Sequence, residues 1–198
     1  TFGAKFVVRN STNAGAFSLE GLELGDHGVW RILVPAAGAF DYEVRSARGF
    51  MGASEFLFAA KVRISAPGNI GDIVDPPVFP TPPENEGLIV GLGPRASGLP
   101  VFLAGSNLAT WQAWADGTLT DTGVAIVGGR WYWLYIARRG DTFYWYIGQP
   151  GDALPVLVHQ QVWAASLTDT ASYLHVSGPA GAAGDYCDVD KIAQFIKR

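Results

Sequence analysis

A single cysteine, Cys187, in 198 residues excludes an intrachain disulfide framework and a cysteine-rich zinc site. Charge is scarce too. Asp, Glu, Lys and Arg make up 16% of the chain, against about 25% in an average domain. The formal net charge is -4 and no basic stripe is present, so no nucleic-acid partner is expected. No apolar run approaches the roughly 20 residues of a membrane-spanning helix, so no membrane span is expected. The three histidines, His27, His159 and His175, are scattered singly. Neither a Gly-x-Ser-x-Gly nucleophile elbow nor a phosphate-binding P-loop occurs. The chain opens Thr1-Phe2-Gly3 without an initiator methionine, which reads as processing or trimming.

What is present is apolar. Hydrophobic residues make up 48%, which excludes disorder, and the length suits one domain over residues 1–198. So little charge leaves part of the surface to be covered by a partner. Arginine outnumbers lysine 10 to 4, and alanine and glycine abound, a bias of GC-rich coding that points to a bacterium or a phage.

The dominant period is two, the signature of strands. In the run 55–64, Phe58, Ala60, Val62 and Ile64 share one face. Residues 87–92, 99–104 and 110–115 read as further strands, with an Asp116-Gly117 turn after the last. Residues 188–197 fit either a helix or a final strand. Residues 66–87 hold six of the 12 prolines and cannot form a central strand. The plain account of this excursion is a stiff surface loop. The sharper one is an arm that grips a neighbouring subunit, with Val78 and Phe79 as anchors.

The strongest signal is a hairpin over 130–147. With Arg139-Gly140 as its two-residue loop, Ile136 faces Phe143, Leu134 faces Trp145 and Tyr132 faces Ile147. Leu134, Ile136, Phe143 and Trp145 then point into a sandwich core. The opposite face carries Trp131, Trp133, Tyr135, Tyr144 and Tyr146, an aromatic plate that a loop, a second subunit or a ligand should cover.

The run Gly129-Arg130-Trp131, Leu134-Tyr135-Ile136, Arg138, Gly140-Asp141-Thr142-Phe143 and Tyr146 resembles the late hairpin of laminin-G-like domains in the concanavalin A-like lectin/glucanase superfamily. The segment Gly184-Asp185-Tyr186-Cys187-Asp188-Val189-Asp190-Lys191-Ile192 is similar to the last strand of such folds. The resemblance covers about 40 residues. It implies an all-β, antiparallel jelly-roll β-sandwich of two packed sheets.

The glucanase branch of that superfamily carries Glu-x-Asp-x-x-Glu on one strand, and this chain has no such run. The nearest pair is Asp41 and Glu43, about 6–7 Å apart on a strand, between the spacings of retaining and inverting glycosidases. The plainer account of that pair is solvated charge. Asp188 and Asp190 also alternate, as surface charges or as calcium ligands; no other cofactor is implied. Cys187 reads as a small buried hydrophobe.

Carbohydrate binding would use stacking platforms from seven tryptophans and seven tyrosines, with Trp111 and Trp114 flanking Gln112 as additions to the plate. The plainer account is that most of these tryptophans are core. Low charge, a Pro-rich arm and an aromatic plate equally suit a subunit of a larger assembly. The expectation is therefore a non-enzymatic binding and assembly module, extracellular or virion-associated, such as a phage appendage or a secreted bacterial protein. Its partners would be a glycan or host-surface polysaccharide and other copies or subunits. The alternative is a glycoside hydrolase or lyase of the same superfamily.

Overall fold

In the computed structural model, residues 6–12, 17–18, 30–33, 40–46, 55–66, 88–94, 101–105, 110–164, 170–178 and 185–196 are described. Among them every regular element is a strand: β1 (Phe6–Thr12), β2 (Phe17–Ser18), β3 (Trp30–Leu33), β4 (Phe40–Ser46), β5 (Glu55–Ile64), β6 (Leu88–Pro94) and β7 (Val101–Gly105). They continue as β8 (Thr110–Ala115), β9 (Thr118–Ala125), β10 (Trp131–Arg139), β11 (Thr142–Gly148), β12 (Val156–Val162), β13 (Thr170–Gly178) and β14 (Tyr186–Ile196). The segment read as helix or strand is strand, since β14 pairs with both β5 and β3. The first sheet runs β1-β4-β13-β6-β7-β8-β9 and the second β12-β11-β10-β5-β14-β3-β2, all paired antiparallel. The architecture is an antiparallel jelly-roll β-sandwich.

The core lies between the sheets and is built by alternation. The second sheet contributes Phe56, Phe58, Ala60, Val62 and Ile64 from β5, with Tyr132, Leu134, Ile136, Phe143, Trp145 and Ile147 from the hairpin, all buried. The first sheet contributes Leu88, Val90, Leu92, Trp111, Ala113 and Ala115. Trp111 meets Tyr132 edge-to-face across the gap, ring centroids 5.3 Å apart, a geometry that aromatic quadrupoles favour. Gln194 donates a hydrogen bond from its side-chain amide to the Ser172 hydroxyl, a polar tie from β14 to β13.

The hairpin register differs from the expected one. Arg139 pairs with Thr142, Ile136 with Trp145 and Leu134 with Ile147, so the two-residue loop is Gly140-Asp141. Gly140 occupies the first loop position at φ +60°, where a primed hairpin turn favours glycine. Moving a turn by one residue shifts the pairing by two, which leaves each side chain on its face. The core-facing assignment of Leu134, Ile136, Phe143 and Trp145 therefore stands. At the other predicted turn, Asp116 and Gly117 both take positive φ, +51° and +72°, between Ala115 and Thr118.

The Pro-rich excursion beyond Ala66, with Val78 and Phe79, lies outside the described residues, as does His27.

Candidate functional site

The outward face of the second sheet is set by the same alternation. Trp131, Trp133 and Tyr135 project outward from β10, Tyr144 and Tyr146 from β11, and all five are half-buried, neither sealed nor free. Trp133 and Tyr135 stack nearly parallel, centroids 5.9 Å apart and 17° between planes. Tyr135 pairs with Tyr146 on one side and with Ala59 on the other. Partial burial raises the Tyr135 phenol above its ordinary value, so it stays a neutral donor through the physiological range.

Pairing with β5 and β14 places charge beside the two tryptophans. Trp131 is opposite Arg63, which is opposite Asp188, which is opposite Arg31. In the next row Trp133 is opposite Lys61, which is opposite Lys191. The Asp188 carboxylate is fully buried and satisfied by two guanidiniums. Arg31 donates from Nε and Nη2 at 2.8 and 3.0 Å. Arg63 donates from Nε at 3.0 Å and also from Nη2. Lys61 donates to Asp190 at 2.5 Å. Asp190 sits where the β14 register slips against β5. The cations also lie over rings: Arg63 and Lys61 at 4.6 and 4.7 Å from Trp131, and Arg31 at 4.0 Å from Tyr186.

A cleft of about 570 Å³ opens at the Trp131 end of the plate. Its walls are Val127, Arg130, Trp131, Gln149 and Pro150, with two glycines between. Arg130 donates to the Gln149 side-chain oxygen at 2.7 Å. The wall 125–130 is pinned from the core: the Tyr132 hydroxyl accepts from the Val127 N–H at 2.8 Å and donates to the Ala125 carbonyl at 3.0 Å.

Three expectations are corrected. Trp111 is fully buried with its ring in the core, so it offers no sugar platform. Trp114 points away from the core yet is only 3% exposed, beside Gln112 at 4%, and is equally closed to a ligand. Asp188 and Asp190 are poor calcium ligands, because both Asp188 oxygens are held by Arg31 and Arg63 and one Asp190 oxygen by Lys61, and a dication there would face those cations. Among the described residues no cluster of three or more His, Cys, Asp or Glu could hold a metal ion.

The histidines have different fates. His159 lies on β12 with its ring 5.1 Å from Trp145. His175 on β13 pairs directly with Glu43 on β4, while Asp41 pairs with Ser177. Strand order thus brings together an acid pair and a histidine that stand far apart in the chain. Cys187 is fully buried. Burial pushes its thiol far above the ordinary value, with the Asp188 and Asp185 carboxylates adding to the shift.

No protein-family model and no curated protein sequence matches this chain. Solved structures do match. A seed lectin of Lotus tetragonolobus superposes with a TM-score of 0.62 at 8% identity, over 98% of this chain and 94% of the lectin. An alginate lyase from Klebsiella pneumoniae gives 0.60 at 9% identity, over 98% of this chain and 96% of the lyase. The exoplasmic/lumenal domain of VIP36, in a form bound to Ca2+ and Man3GlcNAc, gives 0.57 at 8% identity, over 98% and 86%. The chain has the concanavalin A-like lectin/glucanase fold. Within that concanavalin A-like sandwich, the plate and its cationic border occupy the outward face of the sheet that carries the last strand, β14.

The cationic border was missed in the sequence. Its one local sign is Lys61-x-Arg63, outward by parity on β5. The partners of Asp188 lie 125 and 157 residues away along the chain, beyond any spacing rule.

Proposed function

We propose that this concanavalin A-like sandwich is a non-catalytic carbohydrate-recognition module that works within a larger assembly, in a secreted bacterial protein or a phage or virion appendage. The observation that carries the reading is the half-exposed aromatic plate ending at a polar cleft. Trp131, Trp133, Tyr135, Tyr144 and Tyr146 give flat apolar surface for the C–H faces of sugars. Arg130 and Gln149 supply hydrogen-bonding groups at its end. Likeness in fold to lectins is in keeping with it. Tryptophan fluorescence titrated with a panel of polysaccharides tests the reading. A saturable change is expected, and Trp133→Ala should weaken it about tenfold or more while leaving the melting temperature near that of the parent. Binding that ignores Trp133 would move the site off the plate.

A second reading, polysaccharide cleavage, draws on one observation: the register that sets Glu43 opposite His175, with Asp41 one pleat away. An acid and a histidine on one strand pair suit general acid–base chemistry. We expect no chain scission of any polysaccharide by the pure protein. Scission abolished by Glu43→Gln together with His175→Ala would replace the non-catalytic reading with a lyase or hydrolase.

A further inference from the structure

The border of the plate is sorted by depth. Its two carboxylates are sunk: Asp188 is 0% and Asp190 11% exposed. Its cations stand above them, with Arg31, Arg63 and Lys61 at 24%, 22% and 26% exposure and Lys191 exposed. Four cations against two carboxylates leave a formal excess of two positive charges on one side of the aromatic plate, in a chain whose formal net charge is -4. Lys191 and Lys61 are register partners, and like charges opposite one another across a strand pair are unfavourable without a counter-ion. Asp190 serves Lys61 and leaves Lys191 exposed beside it. Arg63 spends Nε and Nη2 on Asp188, which fixes the guanidinium plane and leaves Nη1 for a further acceptor.

From this arrangement we infer that the plate selects an acidic polysaccharide, one whose sugar units carry carboxylates. The inference rests on the carbohydrate reading above and adds its charge. A sugar ring stacked on Trp133 lies one strand away from Lys61, with Arg63 diagonal to it, and two strands from Lys191. A ring carboxylate directed toward β5 would meet donors already held in place by Asp188 and Asp190, so little side-chain entropy is lost on binding. A neutral glycan would stack on the same rings but meet nothing of the border's excess positive charge.

The test compares an oligogalacturonate with its carboxyl-reduced, neutral counterpart, titrated into the whole chain by fluorescence and calorimetry. The acidic oligomer is expected to bind at least about tenfold tighter at about 0.02 M salt, with the difference shrinking at about 0.3 M as screening grows. Lys191→Glu, an exposed change that leaves Asp188 and Asp190 paired, should weaken the acidic oligomer about fivefold to tenfold and leave the neutral one unchanged. Trp133→Ala should weaken both. Equal affinity for both oligomers, indifferent to salt and to Lys191→Glu, would overturn the charge selection while the plate stands as a glycan site. Binding of polyglutamate as tight as the oligogalacturonate, and indifferent to Trp133, would also overturn it and mark the border as a plain ion exchanger. Binding of neither oligomer by the parent chain would overturn the inference; the plate reading then fails only if the wider panel is negative as well.

Discussion

Cys187 shows how much a single buried position carries. Its side chain is fully buried between Ile64 and Ile32 in the register, while the next residue, Asp188, anchors the charged border on the other face. The folded thiol is held protonated by burial and by the carboxylates of Asp188 and Asp185. In the unfolded chain the same thiol titrates near its ordinary value of about 8.5. The folded form thus binds more protons above that pH, so stability is full below about pH 8.5 and falls as the pH rises past it. The contribution to the slope approaches about 1.4 kcal/mol per pH unit once the unfolded thiol is ionised. Urea unfolding between pH 7 and 10 should show this decline. A Cys187→Ala chain, whatever its starting stability, should show a shallower one. Parallel slopes for the two proteins would mean that the thiol is not held protonated.

At the scale of elements, the hairpin of β10 and β11 supplies both the core and the site. Phe143 is fully buried, with its ring 6.1 Å from Phe56 and 5.6 Å from Trp163, and the Arg138 guanidinium stands 5.1 Å from its centroid. Phe143→Ala should cost about 3–5 kcal/mol, measured by chemical denaturation. A variant as stable as its parent would mean that the two faces of the hairpin are reversed. Arg138 belongs to the same packing. Its side chain is only 8% exposed, fixed by the Gly140 carbonyl at 2.7 Å and by Asp141 at 3.6 Å, so it is less of a rim residue than its place beside the turn suggests. The faces were legible because side-chain parity survives a turn displaced by one residue. The turn itself was misplaced because Arg139-Gly140 and Gly140-Asp141 are both sound two-residue loops, differing only in which position the glycine takes. The fate of Trp111 and Trp114 was not legible. On β8 the inward and the outward tryptophan are both buried, and alternation cannot distinguish a buried outer face from a wet one.

For the whole molecule, low charge raises the question of what covers the surface, and the second sheet points to one margin. Among the described residues β12 is the outermost strand of that sheet, paired on one side only, with β11. Along and just before it, Leu154, Val156, Leu157 and Val162 are exposed by 79%, 62%, 46% and 74%. An edge strand offers unpaired N–H and C=O groups, and natural edges are usually blunted by charge or by a bulge. Here the pairing slips near Val158, which breaks the edge, but the described strand carries no lysine, arginine or acid. The assembly half of the proposed function predicts that the protein sediments as more than a 21.1 kDa monomer at micromolar concentration. If β12 is the joint, Val156→Lys with Val162→Lys should lower that mass without lowering the melting temperature, since both side chains leave the core untouched. If residues 72–83 form the joint instead, exchange of that stretch for a Gly/Ser linker should lower the mass and the β12 variant should not. A parent that stays monomeric in sedimentation would remove self-assembly from the proposal and leave the aromatic plate to act from a lone sandwich.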